Sequence, residues 1–504
     1  MKILSVKQLR ELDQYTIENE PISSIDLMER AAFECVKQIE KTFIQFKSFV
    51  IFCGIGNNGG DGLAIGRILS QNGHKVRIFA TDNLTKASDE FLVNYGRIDK
   101  NKIPIQTIED ILDFPEICES ELIIDSIFGI GLNKPVVGLQ KEIIKKINEL
   151  NCKVVSIDIP SGLFGENNVE NNKESIIHSD YTLTFQQPKL SFLLSDFGNF
   201  VENWQVLDIG LSSEFVKKVE TNLQLLTDKD VQKRFKPRGK FSHKGTFGHA
   251  LIISGSIGKM GASVLCTKAA LRSGVGLVSA LVPKCGNDIM QTTNPEAICE
   301  LSLEKNYVSG KLNWDNYSSI GIGPGMGKEK GTKHLIEHAF ENFNGSIVLD
   351  ADALNIISED KSLLEKIPQN SILTPHPKEF DRLFGKSDSA SNRLNNQIIQ
   401  AKLLKCYIIL KGTYTSICCP NGSVFFNNTG NSGLSKGGSG DVLTGIITGL
   451  LAQGYNQNDA CIISVWIHGL AGELASMKKN EITMTAMDVV DCFSEAIENA
   501  LKPK

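Results

Sequence analysis

Short apolar runs that end in glycine or aspartate recur along this chain, and they constrain its fold more than any other feature. Ser48-Phe49-Val50-Ile51-Phe52-Cys53 leads into Gly54-Ile55-Gly56-Asn57-Asn58-Gly59-Gly60-Asp61-Gly62, and a helical pattern follows through Leu69. His74–Ala80 is the next run, and Leu122-Ile123-Ile124-Asp125 and Val154-Val155-Ser156-Ile157-Asp158 each close on an aspartate. Strand, glycine loop and helix in that order open a βαβ unit. In a parallel sheet the loops at the carboxyl ends of the strands gather into one crevice. The pattern therefore predicts that Asn57, Asn58, Asp61, Asp125 and Asp158 converge. Upstream, residues 5–46 read as helices, with Leu9, Leu12, Ile17, Leu27, Ala31 and Val36 as core positions.

Between Leu211 and Lys240 the pattern weakens to a short polar helix and an exposed basic run, Lys233–Lys240. This reads as a connection, with a boundary near Val219 that divides the chain into domains 1–219 and 220–504. The strand–loop–helix pattern then returns. Ala250–Ile253 turns at Ser254-Gly255-Ser256, a helix runs from Gly258 to Arg272, and Ile320-Gly321-Ile322 enters Gly323-Pro324-Gly325. Ile347-Val348-Leu349 ends at Asp350 and Asp352, and Ile372–Glu379 and Ile408–Thr415 complete the series. The expected class is α/β with two doubly wound domains, the first a Rossmann-like three-layer sandwich.

Composition narrows the function. A chain of 504 residues, 41% hydrophobic and 22% charged, is ordinary for a soluble globular protein. A net charge of −5 gives no reason to expect nucleic acid or an anionic membrane as partner. Twelve scattered cysteines without a C-x-x-C spacing indicate neither a zinc site nor a disulfide framework, and suggest a reducing compartment. The N-terminus reads as neither a signal peptide nor a membrane span, so a cytoplasmic location is expected.

The chemistry concentrates in glycine turns. In Lys436-Gly437-Gly438-Ser439-Gly440-Asp441-Val442-Leu443 the glycines can present bare N–H groups to an anion. Val442, Leu443, Ile446, Ile447, Leu450 and Leu451 then form one apolar helical stripe, with Thr444, Gly445, Thr448 and Gly449 on the other face. Asp441 falls in the first turn, where the helix dipole favours negative charge. A phosphate-bearing ligand beside a carboxylate suits activation of a hydroxyl; the plain alternative is a helix cap after a glycine turn. In the first half, Asn58, Asp125 and Ser161 offer amide, carboxylate and hydroxyl oxygens that could share a hard cation, although each alone reads as a turn or cap residue. Gly54-x-Gly56-x-x-Gly59 with Asp82 about 20 residues on also matches a dinucleotide fingerprint, which makes an NAD-dependent dehydrogenase a rival. The amide and carboxylate groups of Asn57, Asn58 and Asp61 argue against a loop that only passes a pyrophosphate.

These motifs carry a resemblance. Gly438-Ser439-Gly440-Asp441 resembles the signature of the ribokinase-like superfamily. Adding Lys259-Met260-Gly261-Ala262, Gly323-Pro324-Gly325, Thr374-Pro375-His376-Pro377 with Glu379, and Lys411-Gly412 with Thr415 narrows it to the nucleotide-dependent dehydratases of hydrated NAD(P)H. The first half, with Asn57–Gly62 and Asp158-Ile159-Pro160-Ser161-Gly162, resembles the matching hydrate epimerases. In this order the two resemble the bifunctional NAD(P)H-hydrate repair family of prokaryotes, over nearly the whole chain.

The resemblance implies a ribokinase-like three-layer sandwich in the second half. In the first half it implies that hydrate binds at Asn57, Asn58, Gly59, Gly60 and Asp61. A second loop, Gly129, Ile130, Gly131, Leu132, Asn133, Lys134 and Pro135, would bind it too, with a contact from Asp158. A potassium ion would be held by Asn58, Asp125 and Ser161. In the second half Ala262, Gly325, His376 and Asp441 would meet the hydrate, and Lys411, Gly412, Thr413, Tyr414, Thr415 and Gly440 the adenine nucleotide. ADP with Mg2+ is the expected co-substrate, and a homo-oligomer the expected state. Ser439 stands where threonine is usual in the family. Chemically, Asp441 would act as general base while a hydroxyl is phosphorylated and lost as phosphate, and Asp158 is the candidate for proton transfer in epimerisation. The nearest alternative is a small-molecule kinase of the same superfamily, with an N-terminal dinucleotide-binding module.

Overall fold

The first, fourth and fifth strands of the first sheet do not alternate apolar with polar residues. In β1 (Ser48–Cys53) every residue from Phe49 to Cys53 is buried, as expected of a parallel strand covered by helices on both faces. The sheet continues with β2 (Lys75–Ala80), β3 (Ile105–Thr107), β4 (Leu122–Ser126), β5 (Val154–Ile157), β6 (Tyr181–Phe185) and β7 (Trp204–Leu207). Its order is β3-β2-β1-β4-β5-β6-β7, and all neighbours are parallel, with Phe49 opposite Val76 on one side and Leu122 on the other. The order reverses between β1 and β4. At such a point the loops leaving two adjacent strands diverge and open a crevice.

The computed structural model describes residues 1–502. Its contacts divide it into two compact units, Lys2–Thr221 and Asn222 onward, the second joined by Met1. The first unit opens with the helices Val6–Asn19 and Ser24–Thr42, on which Leu9, Leu12, Leu27, Ala31 and Val36 are buried and Ile17 only partly so.

One reading of the sequence needs correction. Gly59, Gly60, Asp61 and Gly62 are not loop; the helix begins at Asn57 and runs to Gln71. The glycines serve close packing. A Cβ at Gly59 would stand 1.8 Å from the Gly54 carbonyl oxygen, and one at Gly62 2.0 Å from Ser126 Oγ. The helix thus lies directly on the strand ends, with its first turn at the mouth of the crevice.

In the second unit the strands are β8 (Leu223–Leu225), β9 (His249–Ile253), β10 (Leu277–Val282), β11 (Ile298–Leu301), β12 (Ser319–Ile322), β13 (Ser346–Leu349), β14 (Ile372–Leu373), β15 (Tyr407–Leu410), β16 (Ser416–Cys418) and β17 (Val424–Phe426). They form one sheet in the order β11-β10-β9-β12-β13-β14-β15-β16-β17-β8. Only the β15–β16 and β16–β17 pairs are antiparallel. β8 pairs with β17 through Leu223↔Val424, a long-range pairing within the stretch that had looked like a connection.

The helix Ser439–Ala452 is the centre of this unit's packing. Val442, Leu443, Ile446, Ile447, Leu450 and Leu451 join one apolar cluster, each contributing about 1.5–3 kcal/mol on full burial. On its small-residue face the helix Met260–Arg272 comes so near that a Cβ at Gly445 would lie 2.1 Å from the Cys266 carbonyl oxygen. Gly438, with φ of 94°, caps the start, and Gly454, with φ of 78°, follows the end. The neighbouring helix Gln457–Lys479 is, among the described residues, the one helix long and apolar enough to cross a membrane, yet most of that stretch is buried inside the unit.

Two candidate active sites

The first site is a cavity of about 560 Å³ at the β1/β4 reversal. Gly54, Ile55, Gly56, Asn57, Asn58 and Asp61 line it from the β1 end, and Ile127 to Leu132 from the β4 end. Asp158 follows β5. Gly59 and Gly60 are buried in the helix behind the wall, and Asn133, Lys134 and Pro135 fall outside the lining. Asp82, the residue that had suggested a dinucleotide fingerprint, also lines the cavity.

Asp158 is held firmly. Its backbone sits in the left-handed region, at φ of 65°, uncommon for a residue other than glycine although aspartate enters it more readily than most. Lys189 Nζ lies 2.5 Å from Asp158 Oδ1 and 2.7 Å from Thr184 Oγ1, and the Phe185 amide donates to the same carboxylate oxygen at 3.2 Å. Lys189 is only 2% exposed. Three further carboxyl groups line the cavity, Asp13, Asp61 and Asp82, and two of them are raised. Burial, then the charges of Asp158 and Asp13, pushes Asp61 well above the carboxylate range. Burial and Asp158 push Asp13 up to about 6, against a smaller opposing effect of Lys189.

Beneath the cavity floor Asp125 is fully buried and does not line it. Its Oδ2 accepts from Ser156 Oγ at 2.8 Å and from the Ser161 amide at 2.9 Å, and its Oδ1 from Ser161 Oγ at 2.5 Å. Burial raises its carboxyl pKa despite these bonds. Asn58 is different: both its Oδ1 and Nδ2 are buried without a hydrogen-bond partner. A buried amide left unpaired costs roughly 1–3 kcal/mol, and a bound water or ion at this place would satisfy it.

The second site is a cavity of about 760 Å³ beside the N-terminus of the helix Ser439–Ala452. His376, Lys411, Gly412, Thr413, Thr415, Gly437, Ser439 and Gly440 line it. Tyr414, Ala262, Gly325 and Asp441 are not part of that lining. Ala262 and Gly325 meet each other instead, since a Cβ on Gly325 would stand 3.0 Å from that of Ala262.

A polar cluster links the helix start to the strand ends. Lys411 Nζ pairs with Asp350 Oδ1 at 2.9 Å, and Thr444 Oγ1 donates to Asp350 Oδ2 at 2.8 Å. A Cβ at Gly440 would be 3.2 Å from Lys411 Nζ and 3.7 Å from Asp350 Oδ2, so a glycine there keeps the two charged groups against the helix start. Burial works against the Lys411 charge, but Asp350 and Glu379 outweigh it and its pKa is raised. Burial first and the Asp350 charge second push Asp441 up to about 7, with Lys411 opposing. A carboxyl titrating near neutrality at an anion-binding helix terminus suits a general base. Ser439 Oγ lies 3.1 Å from His468 Nε2, so the hydroxyl at this position has a partner. His376 caps the helix Pro377–Phe384, its Nδ1 accepting from the Lys378 and Glu379 amides. Burial, with Lys411 and Arg382 nearby, holds His376 below its usual pKa in spite of Glu379.

The sequence reading passed over Arg10, Asp13, Thr81, Gln140 and Lys189 in the first site, and Asn427, Thr429 and His468 in the second. Asp350 had a visible signal, an aspartate at a strand end. Asp13 and Lys189 had none, because their positions depend on how distant segments pack.

Two families match parts of the chain. One, described as NAD(P)H-hydrate dehydratase, matches residues 250–494; the other, described as YjeF-related protein N-terminus, matches residues 24–191. The bifunctional NAD(P)H-hydrate repair enzyme of Moorella thermoacetica is 32% identical over 99% of this chain and 97% of its own length. The enzyme of the same name from Dictyoglomus turgidum is 31% identical over 100% of this chain and 99% of its own. A solved structure, the ADP/ATP-dependent NAD(P)H-hydrate dehydratase of Bacillus subtilis co-crystallised with ATP and Mg2+, is 28% identical with a TM-score of 0.48, covering 56% of this chain and 100% of that one. Matched end to end by such relatives, with one crevice in each half, this chain belongs to the family of bifunctional NAD(P)H-hydrate repair enzymes.

Proposed function

We propose that the chain repairs hydrated NADH and NADPH in two steps, one in each unit. The first unit interconverts the R and S hydrates; the second dehydrates the S epimer back to NAD(P)H with consumption of an adenine nucleotide, ADP in our reading. The observation that carries the second step is Asp441, a carboxyl raised to about 7 in the first turn of a glycine-capped helix. Hydration leaves a hydroxyl on the carbon beside the ring nitrogen, and hydroxide is a poor leaving group. Asp441 takes the hydroxyl proton as the phosphoryl group is transferred. Gly438 and Gly440 N–H groups steady the phosphoryl charge; the ring nitrogen lone pair then expels phosphate, and loss of a proton from the neighbouring ring carbon restores the double bond. Lys411, Gly412, Thr413, Tyr414, Thr415 and Gly440 hold the nucleotide, and Ala262, Gly325 and His376 the hydrate. Mg2+ would come with the nucleotide, bound mainly through its phosphates, and would neutralise charge on the transferring phosphoryl group. No group of three or more His, Cys, Asp or Glu residues placed to hold a metal is found among the described residues.

In the first unit the hydrate lies between the Asn57–Asp61 turn and the loop from Gly129 to Pro135, with Asp158 at the reacting carbon. Asn58, Asp125 and Ser161 would hold a potassium ion, and the orphaned Asn58 amide oxygen fits that assignment. A monovalent cation there would supply positive charge next to the phosphates of the hydrate and brace the two loops. We place the enzyme in the cytoplasm as a homo-oligomer, with the functional boundary near Val219.

Membership of the repair family favours this reading over a small-molecule kinase. The test is to incubate purified protein with hydrated NADH, with ADP and ATP in separate arms. Restored nicotinamide absorbance with release of free phosphate is expected. A stable phosphorylated product without that absorbance would refute dehydration.

A further inference from the structure

Asp13 lines the first cavity from the helix Val6–Asn19, far in sequence from the loops that form the rest of the site. It is half-buried, and among the described residues its carboxyl has no hydrogen bond or ion pair of its own. Its neighbour Arg10 lies over the β4 loop, with Nη2 3.3 Å from where a Cβ on Gly131 would stand. Asp158, by contrast, is committed to Lys189 and the Phe185 amide. Four carboxyl groups therefore line one cavity: Asp158 is anchored beside a buried cation, Asp82 accepts from the Asn83 amide, and Asp13 and Asp61 have no hydrogen bond or ion pair among the described residues, Asp61 being buried and Asp13 the more exposed of the two.

We propose that Asp13 is the second proton-transfer group of the epimerase, acting with Asp158, and that Lys189 is the positioning residue that aims Asp158. The inference rests on the epimerase reading and deepens it. Epimerisation of a carbon bearing both a hydroxyl and a ring nitrogen needs one proton removed and one delivered. The hydroxyl proton passes to Asp158 while the carbon–nitrogen bond opens, and its electron pair stays on nitrogen. Asp13 protonates that nitrogen, leaving an open-chain aldehyde. Rotation presents the other carbonyl face, and the nitrogen adds back. Asp13 recovers its proton from nitrogen, and Asp158 returns its own to oxygen. No oxidant or reductant is required.

The division of labour follows from the surroundings. Arg10 shares the helix of Asp13; Asp61 faces it from the helix Asn57–Gln71, Asp82 from the end of β2, and Asp158 and Lys189 from beyond β5 and β6. The thiols of Cys35 and Cys53 are held protonated by burial. Burial and the Asp158 charge raise Asp13, which favours its acid form in mildly acidic solution. An acid that must be protonated gives a rate that falls as pH rises past about 6.

The experiment follows exchange between the separated R and S epimers of hydrated NADH by the full chain without nucleotide, so that the dehydratase is silent. Asp13→Asn should lower kcat by at least ~10²-fold with KM within a few-fold, the loss typical of a missing general acid. It should also abolish the fall in rate above about pH 6. Asp13→Glu should recover activity with a displaced limb. Lys189→Met should lower kcat, with partial recovery in Lys189→Arg. Dehydration of the S epimer with nucleotide, measured on the same samples, reports folding. Should Asp13→Asn not fold, the Asp13→Glu profile decides: a displaced limb supports the proposal and an unmoved one overturns it. Wild-type kcat and an intact limb in Asp13→Asn also overturn it, as does transfer of the limb to Asp61→Asn. If the wild-type chain exchanges no epimers at all, the epimerase reading itself fails. If Asp158→Asn is inactive while Asp13→Asn is not, only this inference fails.

Discussion

The charge cluster around Asp441 predicts both the position of a pH limb and the direction in which two substitutions move it. The carboxyl rises from an ordinary 3.8 to about 7. Those roughly three pH units correspond to about 4 kcal/mol favouring the neutral acid. A general base must be ionised, so kcat/KM for dehydration should rise about tenfold per pH unit below 7 and level off above it. Asp350 raises Asp441 and also neutralises Lys411 at 2.9 Å. Asp350→Asn removes the repulsion and frees the cation, and both changes move the limb to lower pH. Lys411→Met removes the opposing cation and moves the limb to higher pH. The assay is the initial rate of nicotinamide absorbance recovery from the S hydrate at saturating nucleotide, between pH 5 and 9, on samples whose thermal midpoints are recorded. Asp441→Asn should lose at least ~10²-fold and the limb with it. Limbs that do not move, or that move together in the two variants, would refute the electrostatic argument. Activity of Asp441→Asn within a few-fold of wild type would remove Asp441 from the mechanism.

Three further outcomes are expected. A chain of residues 220–504 should consume one epimer of a mixed hydrate and then stall; rapid use of both would deny the first unit its epimerase role. Asn58→Ala should impair epimer exchange and leave S-epimer dehydration intact, and crystals with thallium replacing potassium should show anomalous density between Asn58 and Asp125 in the wild type alone. Gly445→Ala places a methyl group 2.1 Å from the Cys266 carbonyl oxygen, so the helices Ser439–Ala452 and Met260–Arg272 must part; a stability loss of about 1–3 kcal/mol by denaturant titration is expected.

Much of this molecule was legible because local chemistry and fold coincide. The run Phe49–Cys53, short and bounded by a glycine turn, reads as a strand buried on both faces, and the alternation of such runs with helical stretches points to a parallel sheet. The loops of a parallel sheet must meet at its carboxyl edge, so Asn57, Asn58, Asp61 and Asp158 were readable as neighbours, whereas Asp125, expected among them, lies beneath the cavity floor. The glycine-capped helix with Asp441 in its first turn was equally plain, because helix start, apolar stripe and small-residue face all lie in one continuous stretch.

Tertiary structure alone decided what depends on distant segments. The glycines after β1 look like a loop in sequence but form a helix, since what they relieve is contact with Gly54 and Ser126. The strand β8 exists only because β17 offers it an edge. Asp13 lies on a helix whose own pattern explains only its apolar face, and Lys189 follows β6 with no motif around it. Their charges matter because folding buries them beside Asp158, and a pKa is set by the surroundings that packing builds rather than by neighbours in the chain.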